Sequence, residues 1–272
     1  MSGASLTREL AERIVRSEPL REAKVAEAVR AAMLDWLASA LAAASDPGAA
    51  MLLSALGIGA EGRRTGASSV LGFRHRASAT DAALVNGYLS HALDYDDVHE
   101  SVRGHPSAVL LPALLAEAEE RGSSGAELMA AYAVGAETMC RLGLALGSRH
   151  YEAGWHSTST LGALGAAAAC ARLAGLDAEA TVRALGLAAT QSSGLRVHFG
   201  SAVKPLHAGM AARAGVFAAR LAATGFAGAE EPLEGPIGFL SLFGGEGARP
   251  ERVVEGWGRP WQIVEPGLWF KP

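Results

Sequence analysis

A mainly α-helical protein is predicted by three features of this 272-residue sequence. Apolar residues recur at three- and four-residue spacing through most of the chain, which is the helical period. Half of the residues are hydrophobic and only 19% are charged, with alanine and glycine dominant. Such a composition suits closely packed helices with little wetted surface. Glycine and proline punctuate the periodic stretches, and β-leaning runs are few and brief.

The elements follow in order. Residues 6–15 read as a short amphipathic helix ended by Pro19. A longer helix is expected over 21–44, where Val25, Val29, Met33, Trp36, Leu37 and Leu41 keep helical spacing. Asp46-Pro47-Gly48 is a turn before a further short helix over 49–56. Residues 68–73 form the best strand candidate. Thr80 is the expected N-cap of a helix running from 81 to about Asp94. Pro106 and Ser107 then start a helix reaching Arg121, and Gly122-Ser123-Ser124-Gly125 is a turn. Helices are expected over 126–146, 158–174, 178–192 and 205–223. Beyond Gly225 the pattern turns to glycine, proline and acid, with a possible strand within 257–269 around Ile263 and Val264.

Charge and cysteine usage exclude several classes. A net charge of -4 without Lys/Arg clusters argues against a nucleic-acid surface. Cys140 and Cys170 lack ligand spacing and read as reduced core thiols of a cytoplasmic protein. Arg8, Glu9, Glu12, Arg13 and Arg16 interrupt any N-terminal signal sequence. The uncharged run over 153–171 has membrane length, but it contains His156, Ser157, Thr158, Ser159 and Thr160, unlike a spanning helix.

Two glycine-rich stretches invite a nucleotide reading and fail it. Gly57-Ile58-Gly59-Ala60-Glu61-Gly62 matches GxGxxG, but no helix is expected to open at its last glycine. Gly244-Gly245-Glu246-Gly247 lacks the Lys-Ser/Thr ending of a phosphate-binding loop.

The chemistry concentrates elsewhere. His91-Ala92-Leu93-Asp94-Tyr95-Asp96-Asp97-Val98-His99, followed by His105-Pro106-Ser107, crowds acids against imidazoles. Such neighbours push their pKa values apart and supply proton donors and acceptors near neutral pH. Asn86, Ser90, His91 and Asp94 are expected to share one helix face, with Asp94 at the C-terminal end, where the helix dipole disfavours an acid. Asp96, Asp97, Glu100 and His99 are an alternative hard-metal set, for which histidines are poor ligands. His156, among the hydroxyls of Ser157 to Thr160 before a helix, either neighbours a cap or receives an anion. Lys204 is expected just outside a helix whose first residue is Pro205, within reach of an anion there. Three junctions of this kind point to a polycarboxylate site.

Taken together, six ordered segments resemble the MmgE/PrpD family of dehydratases, decarboxylases and epimerases. They are Val85-Asn86-Gly87 through Asp97, His105-Pro106-Ser107, Gly154-Trp155-His156, Lys204-Pro205-Leu206-His207-Ala208-Gly209, Gly225-Phe226-Ala227-Gly228 and Glu234-Gly235-Pro236-Ile237-Gly238-Phe239. The resemblance implies an Ala-rich multi-helix domain over 1–242 and a connector over 243–272, with the family's α+β lid largely absent. It implies a homodimer with no metal and no organic cofactor, and leaves room for a separate chain that supplies the lid. Catalytic positions carry over to Asp94, His105, His156 and Lys204, with His99, Arg103 and His207 as substrate-binding candidates.

The implied function is a lyase, a dehydratase or decarboxylase, acting on a small di- or tricarboxylate such as 2-methylcitrate or cis-aconitate. An epimerase or racemase, and a non-catalytic lid-less subunit, are the alternatives. The sequence departs from the family at Val98, where relatives often carry threonine. The approach to His105 is also about one residue longer than in the decarboxylases.

Overall fold

The computed structural model describes residues 5–59 and 66–271. Ten α-helices are described: α1 (Leu6–Arg16), α2 (Ala23–Ala42), α3 (Pro47–Ala55), α4 (Ala79–His91), α5 (Ser107–Arg121), α6 (Gly125–Glu152), α7 (Ser157–Leu173), α8 (Ala178–Ala189), α9 (Val203–Ala223) and α10 (Phe239–Gly244). The mainly α class is therefore observed. No single described helix is long and apolar enough to cross a membrane.

Helix α7 is the centre of the protein. Every residue from Ser157 to Ala171 is buried, against α5, α6, α8 and α9. A helix enclosed on all sides needs small side chains, because the interaxial distance depends on what stands between the axes. Hence the run of alanines: a Cβ on Gly215 would come within 2.3 Å of Ala166 Cβ, and one on Gly135 within 2.7 Å of Ala169 Cβ. Helices α4 and α9 approach as closely, with Gly87 against the backbone of Gly209. That crossing carries the start of α9 to the end of α4.

Several boundaries differ from expectation, each for a local reason. The cap of α4 is Ser78, whose Oγ accepts from Asp81 N at 3.2 Å, so Thr80 lies inside the helix. The same helix ends at His91 because Asp94 adopts φ 56°, a left-handed conformation that no helix continues through. Ser124 and Glu127 form a reciprocal capping box at the start of α6, and the expected end near 146 falls at a break at Gly147, φ 65°. Pro205 is the third residue of α9, after the cap at Ala202, so Lys204 sits in the first turn and not outside it.

The two expected strands are largely absent. Only Ser68–Ser69 pairs, antiparallel, with Arg76–Ala77. The next turn of ladder is replaced by Asn86, whose side chain accepts from Leu71 N and donates to Ser69 O, both at 2.9 Å. Asn86 is thus a structural clasp and not a site residue. Within 257–269, turns lead into a π-helical turn at Ile263–Gly267, with Trp269 alone pairing to Val98. Pro260 and Pro266 remove donors, and Gly256 and Gly258 take positive φ, so a ladder cannot run through them. Side chains anchor this segment instead. Trp257 Nε1 donates to Ser17 Oγ at 2.9 Å, and Trp261 Nε1 to Glu22 Oε1 at 3.1 Å. Of the GxGxxG match, Gly57 to Gly59 form a turn after a helix, not after a strand, and Ala60 to Gly62 lie outside the described residues. Gly245–Gly247 is a single 3-10 turn.

Candidate active site

The site gathers at the C-terminal end of α4, the 92–106 loop, and the first turns of α7 and α9. Asp94 is its hub. Oδ1 of Asp94 lies 2.8 Å from Lys204 Nζ and 2.9 Å from Lys271 Nζ. Lys271 also donates to the Asp94 carbonyl oxygen at 2.6 Å. Partial burial opposes ionisation of Asp94, but the two ammonium groups outweigh it and hold the carboxyl down to about 2. Asp94 and Lys204 line a recess of about 580 Å³ together with Pro47, Met51, Tyr88 and His91.

Behind Asp94 lies a buried carboxylate between two imidazoles. Asp96 is fully buried, and His91 Nδ1 lies 2.9 Å from its Oδ1. His105 Nδ1 lies 3.0 Å from Asp96 Oδ2, off the ideal hydrogen-bond line. His105 Nε2 is 3.6 Å from Asp94 Oδ1, so this one ring sits between both acids. Burial would raise the Asp96 carboxyl, but the paired imidazoles hold it well below the ordinary carboxylate range. Burial also keeps His91 below its ordinary value, although Asp96 pulls the other way.

A second histidine pair flanks the first. His156, buried before α7, has Nδ1 3.1 Å from Nδ1 of His207 on α9. One of the two nitrogens must therefore carry hydrogen and the other accept it. The His156 ring lies 5.8 Å from that of His91 and meets Phe199 edge-on at 4.9 Å. Burial first, then the neighbouring imidazoles and Lys204, drive His156 far below its ordinary value, so it is neutral at physiological pH. His207 is lowered in the same direction, chiefly by burial.

The four expected catalytic residues therefore converge, with His207 beside them. The other two candidates do not join them. His99 is buried, with Nε2 3.0 Å from the Gln262 carbonyl and Nδ1 accepting from Ser101 N at 3.2 Å, and both ring nitrogens are committed to backbone. Arg103 is exposed, in a left-handed turn at φ 52°, with no ion pair among the described residues. The site also contains residues the sequence reading did not assign to it: His91, Asp96, Phe199 and Lys271. The first two belong to the acid–imidazole cluster, but no spacing rule separates Asp96 from its neighbour. Lys271 is brought in by the Val98–Trp269 pairing across 171 residues of sequence, which no local pattern signals.

Asp97 faces away from the recess. It is fully buried and accepts from Ser107 N at 3.2 Å and from Ser107 Oγ, which is 2.6 Å from Tyr132 Oη. Its own N–H donates to Asp35 Oδ2 at 3.0 Å. Burial, with Asp96 adjacent, pushes its carboxyl up to about 7 despite the serine. The hard-metal grouping of Asp96, Asp97, Glu100 and His99 is not assembled among the described residues, since Asp96 turns to His91, Asp97 to Ser107 and His99 to Gln262. His91, Asp94, Asp96 and His105 do bring ligand-type atoms within 4.8 Å of one another. They are already paired with each other, and the two ammonium groups on Asp94 oppose a further cation.

Comparison with known proteins supplies the context. The MmgE/PrpD N-terminal domain matches residues 8–251. The chain is 36% identical over 214 residues to the cis-aconitate decarboxylase-like protein oryM of Aspergillus oryzae, covering 73% of this chain and 44% of that protein. It is 35% identical over 209 residues to cis-aconitate decarboxylase of Aspergillus terreus, covering 72% and 43%. Against human cis-aconitate decarboxylase it is 37% identical over 173 residues, covering 62% and 36%. It thus spans less than half the length of the relatives it matches. With the domain match over most of its residues, the chain belongs to the MmgE/PrpD family.

Proposed function

We propose that this chain carries part of the active site of a cofactor-independent lyase, most concretely a decarboxylase of a small unsaturated tricarboxylate such as cis-aconitate. The observation that carries the reading is the pairing of Lys204 and Lys271 on one carboxylate oxygen beside a recess. Two ammonium groups at that point suit the carboxylates of a polyanion. The His105 imidazole stands 3.6 Å from the same carboxylate oxygen, and the chain is similar to relatives with the name cis-aconitate decarboxylase.

The chemistry follows from these groups. Decarboxylation breaks a carbon–carbon bond, releases CO₂ and leaves an electron pair on carbon next to the remaining carboxylate. Ammonium groups beside that carboxylate stabilise the developing charge. A proton must then reach the carbon. Decarboxylation releases no proton and needs no base, so His156, neutral in the resting site, is the candidate acceptor for the dehydration, where a proton leaves carbon. An imidazolium at His105 would be flanked by two carboxylates, at 3.0 and 3.6 Å, and suits donation. Dehydration of 2-methylcitrate needs both the donor and the acceptor.

The test is product analysis by NMR in deuterated water, with cis-aconitate and 2-methylcitrate supplied to the full polypeptide in which these residues occur. Loss of CO₂ with deuterium on the product carbon supports the decarboxylase, and loss of water the dehydratase. Exchange without elimination points to an epimerase, and no reaction with either acid overturns the lyase reading. Lys204→Ala should abolish most turnover, and His156→Ala most dehydration.

A further inference from the structure

We propose that Asp96 is a positioning residue that commits the ring of His105 to bearing hydrogen on Nδ1, so that proton exchange takes place at Nε2, the atom facing Asp94. Asp96 has no exposure to solvent, and the described side chains within ion-pair distance of it are His91 and His105. His91 Nδ1 spans both Asp96 oxygens, at 2.9 and 3.0 Å, and although His105 Nδ1 is off the hydrogen-bond line, a buried carboxylate oxygen 3.0 Å away favours N–H there over a second lone pair. If either Nδ1 lacked hydrogen, two lone-pair acceptors would face each other at about 3 Å.

The two ends of the His105 ring then differ. Its Nδ1 lies 3.0 Å from Asp96, while its Nε2 lies 3.6 Å from Asp94, beyond hydrogen-bond range. Asp94 already accepts from two ammonium groups and has less need of a third donor. The single hydrogen of a neutral His105 therefore resides on Nδ1. Its Nε2 alternates between a lone pair and N–H as the ring loses and gains a proton. An aspartate that holds an imidazole in one tautomer is the arrangement by which Ser-His-Asp enzymes aim their base.

His91 has a different part. Its Nδ1 shares Asp96, its Nε2 is buried without a partner, and its ring packs 4.3 Å from that of His105. It completes the donor set of Asp96 and leaves the exchangeable position to His105.

The consequence for turnover rests on the proton-transfer reading given above, but the tautomer does not, and the experiment is chosen accordingly. Long-range ¹H–¹⁵N spectra of the histidine-labelled protein, without substrate, distinguish pyrrole-like from pyridine-like ring nitrogens. The His105 signals are assigned by their loss in His105→Gln. Nδ1–H is expected in the wild-type protein, Nδ1–H retained in Asp94→Asn, and a shift of population to Nε2–H in Asp96→Asn. Far-UV circular dichroism establishes that each variant is folded. Nε2–H in the wild type overturns the proposal, and that measurement needs no variant. So does an unchanged tautomer in folded Asp96→Asn. Should neither substrate react while the tautomer behaves as expected, the lyase reading fails and this inference stands.

Discussion

Lys204 Nζ and Asp94 Oδ1 lie 2.8 Å apart although 110 residues separate them in the chain, because Gly87 and Gly209 let α4 and α9 touch backbone to backbone. A Cβ on Gly209 would come within 2.2 Å of the Leu84 carbonyl oxygen, which cannot move without unwinding α4. Gly209→Ala should destabilise the fold by about 1–3 kcal/mol, the usual range for overpacking. It should also weaken carboxylate binding more than Ala substitution at an exposed position of α9 does. Thermal denaturation and a binding titration check both.

The same ion pair sets an acid limit. The Asp94 carboxyl has a folded-state pKa of about 2, below its ordinary 3.8. Its pairing therefore stabilises the fold above about pH 4 and is lost as pH falls through 2. Asp94 is half exposed, so solvent screens much of the effect. Asp94→Asn should flatten the stability curve between about pH 4 and 2, lowering stability modestly at pH 7, where the pairing is complete, and matching the wild type below about pH 2. Chemical denaturation across that range is the measurement.

Asp97 predicts the opposite slope. Its folded-state pKa, about 7, stands above the ordinary 3.8, so the folded protein holds a proton the unfolded chain releases. Its contribution is complete below about pH 4 and is lost as pH rises through 7. Asp97→Asn, which keeps the shape and removes the ionisation, should be favoured over the wild type at pH 8 relative to pH 5 by a few kcal/mol, on the order of a unit shift of 1.4 kcal/mol for each pKa unit. A stability difference between Asp97→Asn and the wild type that stays constant from about pH 5 to 8 would contradict this.

Glu137 ties the C-terminal segment to α6. It pairs with Arg141 at 2.7 Å and accepts from Gly258 N at 3.1 Å and Gln262 N at 2.8 Å, while Arg141 donates to the carbonyls of Glu255 and Gly256. Removing one member of a buried pair strands the other, at about 3–5 kcal/mol. Glu137→Ala should speed amide exchange over residues 256–269 and reduce carboxylate affinity through Lys271, whose position depends on that segment.

Lys271→Ala tests the second ammonium directly. It should raise KM for a tricarboxylate more than it lowers kcat, since Lys204 remains at 2.8 Å from Asp94. An effect confined to kcat would assign Lys271 to the chemical step.

Much of this was legible from local pattern. Helix spacing located every major helix to within a few residues, since amphipathic period and Gly/Pro punctuation are local properties. The convergence of Asp94, His105, His156 and Lys204 was expected from family resemblance, which carries contacts that periodicity does not contain. The strands expected over 68–73 and 257–269 failed because Asn86, Pro260 and Pro266 claim or remove the backbone partners a ladder needs. His99 was a substrate-binding candidate alongside the residues carried over by resemblance. Its ring is instead committed to Gln262, 163 residues away.

By itself, then, the sequence determined the helical class, the small-residue helix core and the residue types of the site, all of which depend on composition and short-range spacing. The tertiary structure alone decided the division of labour among adjacent acids. Asp94 faces two ammonium groups, Asp96 two imidazoles, and Asp97 a buried serine. Asp94 and Asp96 are thereby held below the ordinary carboxylate range and Asp97 above it. The physical reason is that Asp96 takes His91 and His105 from its own stretch of chain, whereas the partners that set Asp94 and Asp97 apart, Lys204, Lys271 and Ser107, are brought by α9, the C-terminal segment and α5.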